Sequence, residues 1–187
     1  MTRWIYTRGR AGGVGEYGLW DGGSPPVLRT HFHDEGQWTA VLAGRRVFRV
    51  GAEVVTVAAG QCLYIPAGVV HQGLEAGSAE VRCINAYAPA CRGDRPILVD
   101  DMPIGALAAL AGVSREHFSR RFRRAAGCAP QDFRIQHRLN QARSRLKGDE
   151  PIAAIAADLG FADQSHLGRL FRQAFGVAPM AYRRMMA

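Results

Sequence analysis

The spacing of apolar residues divides the chain into two parts with different periods. In the first part, short runs rich in β-branched and aromatic residues, such as 38–42 and 46–50, are separated by glycine or proline. Many short strands with turn signals this frequent are typical of a sandwich or a barrel. In the second part, apolar residues recur three and four positions apart, which is the spacing of an amphipathic helix. We therefore predict an α+β chain of two domains: an antiparallel β-barrel over 1–90, a linker over 91–97, and an all-α domain over 98–187.

The helical part carries recognisable start and stop signals. Ser114 and Asp163 stand where N-cap residues belong, because their side-chain oxygens can accept from free backbone N–H groups. Gly127 and Gly176 stand where a helix ends in a residue of left-handed conformation. The predicted helices cover 104–111, 115–126, 130–147, 152–158, 163–175 and 179–184, with a short additional helix near 98–101.

An internal repeat is the strongest signal in the helical part. Residues 117–134 align with 166–183 at an offset of 49 with nine identical pairs among eighteen, where chance would give about one. Each copy has the form helix, tight turn, helix, in which the second helix can enter the major groove of DNA. We therefore predict two helix-turn-helix motifs, at 104–126 and 152–175, joined by a connecting helix at 130–147.

The positive charge of the chain lies mostly in the same half. Of the net +8, residues 1–88 contribute +1 (eight Arg against seven acids) and residues 89–187 contribute +7 (sixteen Lys and Arg against nine acids). This asymmetry favours double-stranded DNA as a partner, and a basic solvated surface is the alternative interpretation.

In each second helix, apolar residues fix the buried face and leave polar side chains near the N-terminal end exposed. Arginine can bond guanine with two hydrogen bonds, glutamine can bond adenine, and glutamate can accept from cytosine. The predicted base-reading residues are Glu116, Ser119, Arg120, Gln164, Ser165, His166 and Arg169. The predicted phosphate contacts are Arg121, Arg123, Arg124 and Arg172, for which a solvated basic face is the alternative.

No apolar run reaches the roughly 18 residues that span a bilayer, and the start of the chain lacks the apolar region of a signal peptide. We therefore expect a cytoplasmic protein with no membrane association. The four cysteines form no C-x-x-C pair, a pattern that suits reduced thiols better than disulfides or a zinc cluster.

The helical half contains two distinctive stretches: Leu107-Ala-Ala-Leu-Ala-Gly-Val-Ser with His-Phe-Ser-Arg-Arg-Phe-Arg-Arg after it, and Ile155 through Pro179 with Tyr-Arg-Arg after it. These stretches resemble the DNA-binding domain of the AraC/XylS family of transcription regulators. The resemblance implies transcriptional control, with DNA and RNA polymerase as partners, and an attached effector-sensing domain. Gly168 departs from the family, which usually carries a longer polar residue there.

The first half contains two spaced patterns, His31-x-His33-x3-Gln37-x6-Gly44 and Gly60-x5-Pro66-x-Gly68-x2-His71. They resemble the two cupin motifs of such sensor domains. The resemblance implies a small cupin-like β-barrel. Two positions depart from the pattern: Gln37 replaces the glutamate of metal-binding cupins, and Glu75 replaces a frequent asparagine.

His31 and His33 alternate along one strand and therefore point to the same face. Closing the barrel would bring His71 beside them and Gln37 within reach. Three imidazoles and one neutral amide could hold one divalent transition metal, namely Zn²⁺, Ni²⁺, Cu²⁺ or Fe²⁺. The alternatives are that these histidines line an organic-ligand pocket or form hydrogen bonds near the barrel mouth.

We therefore predict a sequence-specific transcription regulator, not an enzyme, whose barrel senses a small molecule or a metal. An effector pocket is expected inside the barrel, with Trp38 and Tyr64 as aromatic walls. One alternative is a cupin metal-dependent enzyme with a DNA-binding tail, against which Gln37 and the lack of a second acid argue. Another is a non-specific nucleoid protein. Only a short segment follows Tyr87 before the first clear helix, so the family's usual dimerisation helices are missing. We expect a monomer or a barrel-mediated homodimer.

Overall fold

The computed structural model describes residues 4–9, 14–23, 25, 27–77, 80–89 and 102–187. Within these ranges eight strands are followed by six helices, so the predicted fold class, a β-domain followed by a helical domain, is confirmed. The strands are β1 (Ile5–Arg8), β2 (Glu16–Gly22), β3 (Glu35–Ala43), β4 (Arg45–Val50), β5 (Glu53–Ala58), β6 (Cys62–Ile65), β7 (His71–Leu74) and β8 (Val81–Pro89). The helices are α1 (Ile104–Leu110), α2 (Arg115–Ala126), α3 (Pro130–Arg145), α4 (Ile152–Asp158), α5 (Gln164–Phe175) and α6 (Pro179–Met186).

The strands form two antiparallel sheets whose inward side chains share one apolar cluster. The larger sheet has the strand order β1-β2-β8-β3-β6, and the smaller sheet has the order β5-β4-β7. Side chains alternate between the two faces of each strand. In β3, Gln37, Thr39 and Val41 are buried, whereas Trp38 and Leu42 are exposed. The interior of the β-domain is therefore lined by every second residue of its strands.

The predicted N-caps of the two second helices are confirmed. Ser114 Oγ accepts from the backbone N–H of His117 at 3.2 Å, and Asp163 Oδ1 accepts from that of His166 at 2.6 Å. Each bond satisfies one backbone donor that the helix itself cannot pair.

The predicted helix ends are confirmed for α2, α4 and α5 and differ by one or two residues for α1, α3 and α6. Gly127 and Gly176 have φ of 76° and 77° and close α2 and α5 in the left-handed conformation. The connecting helix is shorter than predicted, since α3 ends at Arg145. The predicted linker 91–97 and the short helix near 98–101 lie outside the described residues. None of the described helices is both long and apolar enough to cross a membrane.

The two helix-turn-helix motifs differ in how deeply they are packed. Helix α5 buries Leu167, Phe171 and Phe175 among others, because it lies against α3, α4, α6 and the β-domain. Helix α2 has no fully buried residue, and its Phe122 is half-buried against Phe133 of α3. The second motif is therefore held by more apolar contacts than the first.

A buried carboxylate joins the β-domain to the helices. Glu16 of β2 is 1% exposed and accepts from Arg143 Nη2 and from the Tyr182 hydroxyl, both at 2.6 Å. Lys147 Nζ lies 3.2 Å from its second oxygen. Burial alone would raise the pKa of Glu16, but Arg143, Lys147 and the Tyr182 hydrogen bond outweigh it and lower the pKa. We call these four residues the Glu16 cluster.

Apolar contacts continue this junction on both sides of the Glu16 cluster. The Tyr6 hydroxyl donates to the carbonyl of Phe175 at 2.9 Å, and its ring lies 5.6 Å from that of Tyr182. On the other side, Phe32 of the β-domain stacks on Phe133 of α3 at 4.7 Å. The β-domain and the helices therefore share two apolar clusters along this junction.

Removing the Glu16 carboxylate should destabilise the whole chain. In a Glu16→Gln variant, the buried Arg143 guanidinium loses its main counter-charge, so the free energy of unfolding should fall by about 3–5 kcal/mol. Urea denaturation followed by circular dichroism measures this change. The matched control is Asp21→Asn, which breaks an exposed ion pair with Arg82 and should change the value by less than about 1 kcal/mol. Equal effects of the two substitutions would contradict the importance of the Glu16 cluster.

Candidate metal centre and nucleic-acid interface

The structure brings the three predicted histidine ligands together. Backbone hydrogen bonds of 2.9 and 2.8 Å pair His31 with His71 across the barrel, and His33 lies two residues farther along. The ring centroids lie 4.5 to 5.1 Å apart, and one nitrogen from each ring lies within 4.8 Å of the others. All three side chains are buried.

Backbone carbonyls fix the protonation of two of these rings. Nδ1 of His31 lies 2.6 Å from the carbonyl oxygen of Arg29, and Nδ1 of His71 lies 2.9 Å from that of Val69. A carbonyl only accepts, so each Nδ1 carries the proton and each Nε2 keeps a free lone pair. Metal-binding histidines are commonly oriented by such a bond from their other nitrogen.

Burial keeps the three imidazoles neutral. It lowers the pKa of His31 to about 3, with the neighbouring His71 adding to the shift, and it lowers the pKa of His71 to about 4. Burial likewise lowers the pKa of His33 well below its ordinary value. Near pH 7 all three rings are therefore in the neutral form that binds metals.

Gln37 contributes an oxygen at the same place. Its amide nitrogen donates to Thr39 Oγ1 at 2.9 Å, and Thr39 in turn donates to Asn85 Oδ1 at 2.9 Å. This chain orients the amide and leaves Gln37 Oε1 buried beside the His33 ring, with no hydrogen bond of ordinary geometry among the described residues. In the same part of the structure, Nε2 of His33 and of His71 are buried and unpaired. The orphaned atoms and the donor set therefore fit a divalent transition metal.

The cavity at these side chains is small. Its volume is about 20 Å³, and aromatic rings from Trp4, Tyr6, Tyr87 and Phe175 line it together with the histidines. A space of this size holds one water molecule or one ion. Organic-ligand pockets are typically about 300–1,000 Å³.

The prediction that Trp38 and Tyr64 wall an interior pocket is wrong. Their side chains are 49% and 45% exposed, and they stack on each other at 4.5 Å on the outside of the larger sheet. The reason is strand alternation: Gln37 and Thr39 point inward, so Trp38 between them must point outward. Tyr64 pairs with Trp38 in register and shares its face.

Arg143, which the sequence did not predict as a site residue, connects the histidine cluster to the helices. Its Nη1 lies 3.2 Å from Nδ1 of His33 while its Nη2 binds Glu16. The ring of Phe175 also lies 6.0 Å from that of His33. The contacts of Arg143 with His33 and with Glu16 leave no signal in the sequence, because Arg143 lies 110 residues from His33 and 127 from Glu16.

The predicted DNA-reading residues lie on the outer side of α2 and α5. Glu116, Arg120, Gln164, Ser165 and Arg169 are exposed, whereas Ser119 and His166 are half-buried. The predicted phosphate contacts Arg121, Arg123, Arg124 and Arg172 are all exposed. On α5, an open concavity of about 420 Å³ is lined by Ser165, Gly168, Arg169, Arg172, Gln173 and Ala178. This arrangement leaves a basic surface available on both helices.

Two of the predicted base readers also have local roles. His166 Nδ1 accepts from the backbone N–H of Ala162 at 3.3 Å, and its ring packs against Phe161. The pKa of Glu116 is lowered by hydrogen bonds to its own backbone N–H and to Ser114. Each residue thus helps to form the start of its helix, and base reading by either stays a prediction.

Two family models match the chain, one for each half. A model described as a cupin domain matches residues 17–87, and a model described as a helix-turn-helix domain, of the AraC type, matches residues 107–185.

Individual relatives match either part of the chain or nearly all of it. An uncharacterized protein from Streptomyces coelicolor is 34% identical over 84 residues, which are 45% of this chain and 76% of the relative. The crystal structure of an apo ToxT variant from Vibrio cholerae is 12% identical, covers 96% of this chain and 100% of its own, and has a TM-score of 0.60. The crystal structure of a transcriptional regulator with an AraC-type DNA-binding domain from Chromobacterium violaceum is 29% identical, covers 46% of this chain and 78% of its own, and has a TM-score of 0.43.

The likeness to ToxT extends over nearly the whole chain and shows a shared fold. The two domain matches, in this order, describe a DNA-binding regulator with a cupin domain. The chain therefore belongs to the AraC-type helix-turn-helix regulators that carry an N-terminal cupin domain.

Proposed function

We propose that this chain is a cytoplasmic, metal-responsive and sequence-specific regulator of transcription. In this proposal His31, His33 and His71 hold one divalent transition metal, and its binding changes how the two helix-turn-helix motifs engage DNA. One observation carries the proposal: Arg143 of the connecting helix α3 contacts a candidate ligand, His33, directly.

The dimensions of the site favour a metal over an organic effector. The cavity of about 20 Å³ is enclosed by five aromatic side chains, by the histidines and Gln37, and by Leu28, Arg46, Gly73, Asn85 and Ala174. An organic molecule would have to displace several of these rings, whereas a single ion fits the space between the histidines and Gln37. Three neutral nitrogens and an amide oxygen suit Zn²⁺, Ni²⁺, Cu²⁺ or Fe²⁺ and give no basis for choosing among them.

His33 can hold a metal only by releasing Arg143. A guanidinium has donors and no acceptor, so Nδ1 of His33 accepts its hydrogen bond and the proton of the neutral ring sits on Nε2. To ligate through Nε2, His33 must move this proton to Nδ1, where it would face the Arg143 donor. To ligate through Nδ1, His33 must give up the same hydrogen bond. Through either nitrogen, the ligand role of His33 and its bond to Arg143 exclude each other.

Arg143 then links this exclusion to the position of the helices. The same guanidinium binds Glu16, and it lies in α3, the helix between the two motifs. A shift of Arg143 away from His33 therefore changes the packing of α3 on the β-domain. Such a difference in contacts between two states is what coupling between two sites requires.

The alternative of a metal-dependent enzyme is less well supported. A substrate would need space beside the metal, and the cavity offers none of that size. The nearest buried carboxylate, Glu16, is occupied by Arg143, Lys147 and Tyr182. A carboxylate held in three such contacts is poorly placed to act as a general base.

Metal binding is the first test. Wild-type protein purified without chelators should carry one first-row metal ion per chain in native mass spectrometry, and a His31→Ala/His33→Ala variant should lose it. A His117→Ala variant, altered at an exposed histidine of α2, should keep the metal. Wild-type protein that stays metal-free after incubation with Zn²⁺, Ni²⁺, Cu²⁺ and Fe²⁺ would overturn the proposal.

Removing the guanidinium should tighten metal binding. We compare two double variants, Glu16→Gln/Arg143→Met and Glu16→Gln/Lys147→Met, which each lose one negative and one positive charge. Only the first frees His33 from Arg143, so it should bind Zn²⁺ about tenfold more tightly, measured by competition with a chromophoric chelator. Circular dichroism checks that both are folded. Equal affinities would contradict the coupling and leave the metal site itself standing.

DNA reading is tested by two pairs of substitutions on the second helices. Arg120→Ala and Arg169→Ala should each weaken binding to a selected operator by about 1–3 kcal/mol and relax the preference at one base position. Arg121→Ala and Arg172→Ala should weaken binding to all sequences alike and reduce the salt dependence by about one counterion. Fluorescence anisotropy against operator and random DNA measures both effects. Flat affinity across all DNA for the wild type would favour a non-specific nucleoid protein instead.

A further inference from the structure

A buried arginine of the barrel lies beside the three histidines. Arg46 of β4 is 5% exposed and lines the same cavity as His31, His33 and His71. A Cβ atom added to Gly73 of the neighbouring strand β7 would lie 2.8 Å from Nη2 of Arg46. His71 lies two residues before Gly73 and is buried on the same face of β7, so their Cα atoms are about 7 Å apart. The guanidinium therefore lies next to the candidate metal centre.

None of the described carboxylates forms an ion pair with Arg46. Burial lowers its pKa, and the groups that raise it are the Cys83 thiol and the Tyr87 hydroxyl. Burial raises the pKa of both of these groups, that of Tyr87 to about 12, so both are neutral near pH 7. Arg143 is similarly buried but has Glu16 as its counter-charge. A buried charge without such a partner is costly, and buried charges in proteins are normally paired.

Two N–H groups of the cavity wall have no acceptor among the described residues. They are Nε of Arg46 and Nε1 of Trp4, and both are buried. The guanidinium carbon lies 4.9 Å from the ring centroid of Phe48 and 5.8 Å from that of Trp4, and Nη1 lies 4.0 Å from Cys83 Sγ. Aromatic faces attract a cation, but arginine and tryptophan N–H groups only donate and need a lone pair. A bound water molecule or an anion can supply it.

The charge of the metal decides between water and an anion. A divalent ion on three neutral imidazoles adds two positive charges beside the Arg46 guanidinium, and like charges repel strongly at short range inside a protein. A water molecule is neutral and leaves this repulsion in place. A monoanion reduces it and also accepts from the unpaired N–H groups, and hydrogen bonds between charged partners are the stronger ones.

The size of the cavity restricts the anion. A metal ion lies about 2.0–2.1 Å from its nitrogen ligands, closer than the roughly 2.9 Å of a hydrogen-bonded water molecule, and so needs less space. The volume of about 20 Å³ then leaves room for one further group of about the size of a water molecule. Chloride is close to this size, whereas organic carboxylates are larger.

We propose that the barrel binds its metal together with one small monoanion of the halide class, which accepts hydrogen bonds from Arg46 and Trp4. The inference rests on the proposed metal centre and adds a second ligand to it. Each ion then raises the affinity of the barrel for the other by the same factor, because a coupling free energy is reciprocal. The metal therefore binds most tightly where the anion is abundant.

Zinc affinity in two salts tests this pair of ions. Competition with a chromophoric chelator gives the Zn²⁺ dissociation constant in sodium chloride and in sodium methanesulfonate, whose anion is too large for the cavity. Ionic strength is held equal, and the weak binding of chloride to free Zn²⁺ is corrected for. The wild type should bind Zn²⁺ about tenfold more tightly in chloride. Arg46→Met removes the charge and keeps an apolar side chain, so its affinities in the two salts should differ by less than about twofold.

Two further variants separate the anion from general effects of charge and salt. Arg49→Met, at an exposed arginine of the same strand, is the matched control and should keep the full chloride effect. Trp4→Phe removes one N–H group, keeps an aromatic ring and should reduce the effect. Circular dichroism checks that each variant is folded. Equal Zn²⁺ affinity of the wild type in both salts would overturn the anion and leave the metal centre standing, whereas a wild type that binds no metal would overturn both.

Anomalous diffraction locates the anion without any substitution. Crystals of the zinc-loaded wild type grown in sodium bromide should show a bromide peak beside the Arg46 guanidinium and a zinc peak at the histidines. A zinc peak accompanied only by a water molecule beside Arg46 would contradict the proposal.

Discussion

The arrangement of this regulator depends on one buried carboxylate. Glu16 takes a guanidinium, an ammonium and a hydroxyl from the helical domain, and these partners come from α3, from the segment after it and from α6. Burying an ion pair contributes little net stability, since desolvation offsets most of the attraction. It does fix geometry, because any other placement of the helices would leave charges buried and unpaired. The β-domain and the helices consequently share a core and cannot pack independently.

The buried contact between Glu16 and Arg143 also connects the histidine cluster to the helices. Arg143 contacts His33 with one terminal nitrogen and donates to Glu16 with the other. The cavity at the histidines, of about 20 Å³, leaves the barrel little room to change shape around a ligand there. The barrel can still change which partner one imidazole bonds, and this change is transmitted through a side chain of the connecting helix. The proposed sensor is therefore a change of hydrogen-bond partner rather than the closure of a pocket.

The two helix-turn-helix motifs differ in how many buried side chains hold them against the rest of the chain. Helix α5 packs through buried leucine and phenylalanine side chains against three helices and the β-domain, whereas α2 has no fully buried residue. Segments with few buried apolar contacts open at lower free energy than the core. The second motif is thus fixed relative to the barrel, and the first has more freedom to adjust to DNA through its contact at Phe122 and Phe133.

The sequence by itself determined what depends on neighbours along the chain: the strand and helix periods, the caps, the repeat, and the shared face of His31 and His33. It also located His71, through the resemblance to a known motif. It could not determine which side of β3 faces the core, because Gln37 and Thr39 are polar and lie inside while Trp38 is apolar and lies outside. Only the tertiary structure decided this, and it alone brought together Glu16 and Arg143, 127 residues apart. Pairing between distant polar residues leaves no local pattern, since it depends on how the domains pack rather than on spacing along the chain.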